Sequence, residues 1–189
     1  MALLLLLVLV GGAGLGFAAL YNHLVQLRVG AAGAWADIDV QLKRRYDLVP
    51  NLVETVKGYA GHERDTLNQV IEARNRAQSA AAGSQAGDPA TRAVLENQLA
   101  GALRQLFALS EAYPQLRAVE SFTALQMTLQ EVEEALQNAR RYYNAVARDY
   151  NTAREQFPSN LVAGWFAFQP RVFFELDQAV EREAPAVRF

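Results

Sequence analysis

The first 20 residues form an apolar run in which no position is charged and no polar stripe repeats at helical spacing. A helix needs about 20 apolar residues to cross the hydrocarbon core of a bilayer, whereas a helix on a soluble domain normally keeps one polar face. We therefore predict a transmembrane helix over residues 1–22. The alternatives are a cleaved signal peptide and a buried helix of a soluble domain. The signal peptide is disfavoured because no basic residue precedes the leucines and no A-x-A site closes the run.

After this run, apolar positions recur at spacings of three and four, which is the pattern of amphipathic helices. The pattern predicts four helices, at about 21–59, 63–82, 89–113 and 116–155. Each has one apolar stripe and the turns between them are short, so the stripes can be buried only by packing on one another. The predicted fold is all-α. The transmembrane helix continues into a long up-down antiparallel four-helix bundle over residues 23–156, with shallow, coiled-coil-like crossing angles.

Pro50 lies inside the stripe of the first predicted helix. A proline removes one backbone donor and crowds the carbonyl four residues earlier, here that of Tyr46. We expect a kink near this pair, and a neighbouring donor such as a side chain to satisfy the freed carbonyl. Gly58 and Gly61 are expected to end the helix.

The tail, residues 157–189, is rich in aromatic residues and is broken by three prolines. We expect an irregular tail that packs on the bundle and caps one end of it. The alternative is a patch that binds a partner or the membrane surface, because a large exposed apolar patch usually marks an interaction site. The residues proposed for these contacts are Trp165, Phe166, Phe168 and Phe174.

Gly12 and Gly16 form a G-x-x-x-G pair inside the predicted membrane span. Such pairs let two helices approach closely in lipid, which predicts a homo-oligomer formed through the transmembrane helix and the bundle helices. The simpler alternative is tolerance, since glycine is common in membrane helices.

Composition excludes several kinds of chemistry. The formal net charge is -2, so no strongly basic surface is available for nucleic acid. There are no cysteines and two histidines, His23 and His62, far apart in sequence. A possible H-E-x-x-H zinc motif starting at His62 is broken by Thr66. No P-loop, G-x-S-x-G or EF-hand motif is present, so we expect no enzyme, no cofactor and no metal site.

A group of polar residues is interleaved with the first apolar stripe around Pro50: Lys43, Arg44, Arg45, Asp47 and Asn51. One interpretation is a hydrogen-bonded clasp that ties the first helix to the fourth, near Tyr142, Asn144 or a glutamate. The other is a docking surface, in which the three basic residues meet anionic lipid or an acidic partner.

One stretch of this sequence is distinctive. Residues 34–74, AWADIDVQLKRRYDLVPNLVETVKGYAGHERDTLNQVIEAR, closely resemble the LemA protein family. The same resemblance extends to Tyr21-Asn22 with Leu24-Val25, Tyr142-Tyr143-Asn144, Asn151, Phe157-Pro158 and the closing residues 185–189, PAVRF. It implies a single-pass membrane protein with an extramembrane helical bundle, and it implies no established catalytic activity.

These features together predict a non-catalytic scaffold or adaptor in the cell membrane. Arg28 and the basic residues after it follow the span, so the positive-inside rule favours a cytoplasmic bundle with the N-terminus outside. The expected partners are the bilayer, further copies of the chain and an unidentified membrane protein. The alternatives are a regulatory subunit of a membrane enzyme or transporter, and a bundle that binds or hydrolyses a small ligand.

Overall fold

A computed structural model describes residues 1–82 and 89–174, apart from the side chain of Pro89. All regular secondary structure in these residues is helical, which confirms the all-α prediction. The six helices are α1 (Ala2–Ala60), α2 (Arg64–Ala82), α3 (Pro89–Ser110), α4 (Pro114–Arg117), α5 (Glu120–Glu155) and α6 (Ser159–Trp165).

The long first helix combines the apolar run with the first amphipathic stripe. α1 covers 59 residues and continues through Pro50. The large apolar side chains from Leu3 to Val10 are exposed, and none of the most apolar window of the helix is buried. Among the described residues, α1 is the one helix that is long and apolar enough to cross a membrane.

The connection between α3 and α5 differs from the sequence pattern. The stripe suggested a helix continuing to Tyr113 and another from about residue 116, whereas α3 ends at Ser110 and the one-turn helix α4 precedes α5. Tyr113 has φ -123° and ψ 81°, outside the helical region. A residue before proline is disfavoured in the α conformation, and Pro114 is well suited to the first turn of a new helix.

Backbone contacts divide the chain into two units. The first unit is Met1–Ile38 with Asn138–Phe173, and the second is Asp39–Gln137 with Phe174. In the first unit, side chains from α1, α5, α6 and the segment after α6 form one apolar core. Its buried members are Leu24, Tyr150, Val162, Ala163 and Phe168.

The second unit has its own core. Its members come from four helices and include Leu42, Val49, Leu52 and Val56 of α1, Leu67 and Val70 of α2, Leu99 and Leu106 of α3, and Phe122, Leu129 and Leu136 of α5. The rings of Phe107 and Phe122 meet edge to face with centroids 6.4 Å apart. Burial of each such side chain contributes about 2 kcal/mol of transfer free energy to the second unit.

The end of α6 sets the direction of the chain after it. Ala167 has a positive φ of 50°, and the N–H of Phe168 donates to the Ala163 carbonyl at 3.0 Å. The N–H of Ala167 also donates to the Gly164 carbonyl, so the pair of bonds forms a Schellman motif. Both Ala163 and Phe168 are buried, which supplies the apolar contact that accompanies this motif.

Candidate functional site

The proline in α1 leaves a backbone acceptor that another helix satisfies. Arg74 of α2 donates from Nε to the carbonyl oxygen of Tyr46 at 3.1 Å. This is the carbonyl that the ring of Pro50 deprives of its helical partner. The sequence indicated that a donor was needed here, but it did not identify Arg74. The contact joins residues 28 positions apart in the chain.

A buried ion network lies beside this contact, in the second unit. Arg45, 4% exposed, is 3.3 Å from Oε2 of Glu96 on α3, which is itself 2% exposed. The other terminal nitrogen of Arg45 is 3.5 Å from Oε2 of Glu133 on α5. One turn earlier on the same face of α3, Arg92 is 2.6 Å from Oδ1 of Asp39. Arg45 and Arg92 therefore each have an anionic partner on a different helix, as charges taken out of water require.

Tyr46 completes the network as a neutral donor, because its hydroxyl donates to Oε1 of Glu96. Burial raises the pKa of the Tyr46 phenol well above its ordinary value, and the negative charge of Glu96 and the hydrogen bond to it raise that pKa further. The positive charges of Arg92 and Arg45 offset only part of this shift. The phenol therefore keeps its proton, and Glu96 accepts two charge-stabilising contacts at once.

The structure separates the polar residues that the sequence grouped around Pro50. Arg45 is buried in the ion network, whereas Lys43, Arg44, Asp47 and Asn51 are exposed. Arg44 donates to Gln41 in its own helix at 3.4 Å. Arg45 contacts glutamates on two helices, so it is unable to belong to a docking surface. The accessible basic pair is Lys43 and Arg44.

In the first unit, side chains of α5 hold the backbone of the tail segment, which we define as residues 166–173. Asn151 binds Arg171 through both backbone groups: its Nδ2 donates to the carbonyl at 2.8 Å, and its Oδ1 accepts from the N–H at 2.9 Å. Tyr143 and Tyr150 donate at 2.8 Å to the carbonyls of Val172 and Gln169. These donors replace the neighbouring strand that an extended segment normally needs.

Arg154 adds a fourth such contact, from its Nε to the carbonyl of Phe168 at 2.9 Å. Burial raises the pKa of the Tyr150 phenol, and the positive charges of Arg171, Arg154 and Arg28 only partly offset this. Tyr150 is therefore a stable donor to the tail segment. Three arginines thus lie near this part of the first unit, and the guanidinium carbon of Arg28 is 5.0 Å from the centre of the Phe168 ring.

The four aromatic residues proposed as tail contacts fall into two groups. Phe168 and Phe174 are buried, whereas Trp165 is 82% exposed and Phe166 is 50% exposed. The exposed pair nevertheless contacts α1. The Phe17 ring centroid is 5.7 Å from that of Trp165 and 6.0 Å from that of Phe166, and Tyr21 is 4.7 Å from Phe166. Some aromatic side chains of the tail are therefore buried, whereas others are exposed. The last 15 residues, including 185–189, lie outside the described residues.

The glycine pair in the apolar part of α1 is uncovered. A Cβ atom built on Gly12 or Gly16 meets no atom within 4 Å. The packing of the described chain therefore gives no reason for glycine at these two positions.

Within residues 1–82 and 89–174, no group of three or more His, Asp or Glu side chains is placed to hold a metal ion. A cavity of about 500 Å³ between α1 and α2 is lined by Val53, Glu54, Lys57, Gly61, Arg64, Leu67, Asn68 and Ile71.

The sequence of this chain is similar to those of several magnetosome proteins. The chain is 22% identical over 175 residues to the magnetosome proteins MamQ 1 and MamQ 2 of Paramagnetospirillum magneticum. It is 23% identical over 174 residues to the magnetosome protein MamQ of Magnetospirillum gryphiswaldense. These matches cover 82% of this chain but only 64% of each relative. The chain therefore spans less than two thirds of the length of these relatives.

A sequence model of the LemA family matches residues 34–189. That range includes the stretch around Pro50, the ion network and the side chains of α5 that hold the tail segment. Because the match covers most of the protein, the chain belongs to the LemA family.

Proposed function

We propose that this protein is a non-catalytic scaffold or adaptor, anchored in a membrane by the start of α1 and acting through self-association and protein contacts. The observation that carries the proposal is the complete exposure of the apolar window of α1. Leaving so much apolar surface in water is unfavourable by about 25 cal/mol per Å², and a bilayer core removes that penalty. Arg45, Glu96 and Arg92 of the second unit form ion pairs that join helices, which supports a structural role for these buried charges.

The proposed arrangement is a transmembrane helix over residues 1–22, an up-down antiparallel bundle over 23–156, and a tail, 157–189, packed on that bundle. Within the second unit, Arg45 supports this arrangement because it connects α1 to both α3 and α5. Within the first unit, the contacts from α5 to the tail segment support the packing of the tail. We place the bundle in the cytoplasm, from the arginine and lysine residues that follow the span.

Self-association is proposed to run through the uncovered glycine pair. In lipid, glycine allows two helix backbones to approach closely, and van der Waals contact between them drives association. Replacing both Gly12 and Gly16 with leucine fills the space that a second helix would occupy. We expect the dissociation constant between copies in vesicles to rise about tenfold, which corresponds to about 1.4 kcal/mol. Energy transfer between labelled copies measures it.

Gly14→Leu is the matched control. Gly14 also meets no atom within 4 Å, but it lies on the opposite side of the helix from the pair. Its substitution adds the same kind of side chain without touching the proposed contact. Equal loss of energy transfer in the control and in the double variant would contradict association through this face. Flotation of the full chain with phosphatidylcholine vesicles tests the anchor itself, and recovery of the chain in the dense, lipid-free fraction would refute it.

The second candidate is a regulatory subunit that docks through Lys43 and Arg44. Lys43 and Arg44 are exposed whereas Arg45 is buried, which favours docking through these two residues over docking through all three. Replacing both with glutamate is expected to abolish co-purification of one membrane protein while leaving the helical circular dichroism unchanged. Unaltered co-purification would exclude docking at this pair. Labelling each terminus with an impermeant reagent in intact cells tests the side of the membrane, and reaction at the C-terminus would place the bundle outside.

A further inference from the structure

Exposed aromatic and aliphatic side chains are concentrated around α6, in the first unit. The buried face of this helix includes Val162 and Ala163, which belong to the core. Its opposite face carries Leu161 and Trp165, one helical turn apart and both exposed. Phe166 follows directly and is half exposed. This helix has only seven residues, and its large side chains point away from the core. An exposed apolar surface of this kind indicates an interaction site.

The position of this surface is fixed by its contacts with the apolar part of α1. Trp165 and Phe166 contact the ring of Phe17, and Phe166 also contacts Tyr21. At 1.5 Å per residue, Phe17 and Tyr21 lie about 23 and 29 Å along the helix from Ala2. A hydrocarbon core is about 30 Å thick, so a span that begins at Ala2 reaches its far boundary at Tyr21, and Phe17 lies about 7 Å inside it. The exposed aromatic residues that contact Phe17 and Tyr21 therefore lie at and just inside the level where hydrocarbon gives way to headgroups.

The surrounding side chains suit the same level. Tryptophan and tyrosine are enriched at the membrane interface because one part of the ring system is apolar and another forms hydrogen bonds. Arg28 lies over the ring of Phe168, and Arg154 is held by the carbonyl of the same residue. Arginine side chains can extend to the phosphates while their stems remain against apolar surface. A soluble protein partner would not account for the coincidence between this surface and the end of the span.

From these contacts we infer that α6 and the residue after it form a second membrane contact, in which Leu161, Trp165 and Phe166 insert into the interfacial layer of the bilayer beside the end of the span. This inference rests on the proposed membrane anchoring. The span alone leaves the rotation of the first unit about the axis of α1 unrestrained. A second contact beside it fixes the orientation of that unit to the lipid surface, which an adaptor needs in order to present one defined face to a partner.

The test uses the full chain in phosphatidylcholine vesicles and the natural fluorescence of its two tryptophans, Trp35 and Trp165. Trp35→Phe leaves Trp165 as the single reporter, and Trp35→Tyr is a second reporter variant in case the first fails to fold. Lipids brominated on their acyl chains quench only tryptophans that lie in the bilayer. We expect loss of most of the Trp165 emission with brominated lipid, a blue-shifted spectrum and protection from aqueous iodide.

The matched control is Trp165→Phe, which leaves Trp35 as the reporter. Trp35 lies 18 residues beyond Phe17, about 27 Å farther along the same helix, so brominated lipid should leave its emission unchanged. Quenching of Trp165 but not of Trp35 supports the inference. Equal quenching of both would overturn it, because α1 would then lie along the membrane surface.

The remaining outcomes separate this inference from the anchoring on which it rests. A chain that floats with the vesicles, but whose Trp165 is quenched by iodide and not by brominated lipid, keeps its anchor and has no second contact. A Trp165 that is shielded from both quenchers, to a degree that rises with protein density in the vesicles, is covered by a second copy of the chain, and the lipid contact is overturned. A chain that fails to float overturns both proposals.

Discussion

Glu96→Gln is the sharpest perturbation of the second unit, because it removes one charge from the buried network with almost no change in shape. Tyr46 keeps an acceptor in the glutamine carbonyl, but Arg45 loses a carboxylate at 3.3 Å. Breaking a buried ion pair from one side is destabilising by about 3–5 kcal/mol. Glu133 remains 3.5 Å from the same guanidinium and is partly exposed, so it compensates incompletely. We therefore expect the low end of the range, about 3 kcal/mol.

Hydrogen exchange of backbone amides measures this loss in the full chain in mild detergent. A change of 3 kcal/mol corresponds to about 150-fold faster exchange in peptides from α3 and from the second-unit part of α1. Glu72→Gln is the control, since Glu72 pairs with Arg76 at 3.9 Å on the exposed surface of α2. An exposed pair contributes about 0–1 kcal/mol, so its exchange should change only severalfold at most. Equal effects of the two variants would refute the assignment of Glu96 as a buried, paired anion.

A fully apolar replacement tests the same reasoning from the opposite direction. The triple variant Arg45→Met, Tyr46→Phe and Glu96→Leu removes the charges of Arg45 and Glu96 and the Tyr46 hydroxyl together. Arg92 keeps Asp39, and Glu133, which loses Arg45, is partly exposed. Such replacements of whole buried networks are often neutral or stabilising. We expect the triple variant to recover most of the stability that Glu96→Gln loses. A triple variant less stable than the single variant would show that the network contributes net free energy to the fold.

Three further predictions concern other contacts. Arg74→Met should destabilise the second unit by about 1–2 kcal/mol. Pro50→Ala should reduce that effect, because an N–H at position 50 restores the helical donor to the Tyr46 carbonyl. Hydrogen exchange of the wild type, the two single variants and the double variant measures the coupling between the two positions. Asn151→Ala should accelerate tryptic cleavage after Arg171 about tenfold, because two hydrogen bonds to the tail segment are lost. The raised pKa of Tyr46 means that the folded state keeps a proton that the unfolded chain releases, so stability is full below the ordinary phenol pKa of 10.0 and falls as pH rises above it. Urea unfolding followed by circular dichroism should show a smaller fall for Tyr46→Phe.

Each of these predictions has a matched control on an exposed neighbour. Arg76→Met, which removes an exposed arginine of α2, should show no coupling to position 50. Thr152→Ala changes a side chain beside Asn151 that points to solvent, and should leave tryptic cleavage unchanged. Tyr142→Phe removes an exposed phenol and should keep the full loss of stability at high pH. A control that behaves like its partner variant would contradict the corresponding contact.

The apolar run, the all-helical class and the family could all be predicted from the amino-acid sequence. These follow from local properties: a run of apolar residues is read off directly, and the three-and-four spacing depends only on helix geometry. The sequence also indicated that the Tyr46 carbonyl needs a donor, because the effect of Pro50 reaches only four residues back.

The hydrogen-bond and ion-pair partners on different helices became known from the three-dimensional structure alone. The donor to Tyr46 comes from Arg74, 28 residues away, and the anion for Arg45 comes from Glu96, 51 residues away. The spacing along one helix places an arginine on a face but carries no information about which residue of another helix faces it. The same holds for the tail, where composition does not distinguish the buried Phe168 from the exposed Trp165. The chain turns after α6 through local hydrogen bonds, but which aromatic side chain is buried depends on how the turned segment packs against α1 and α5.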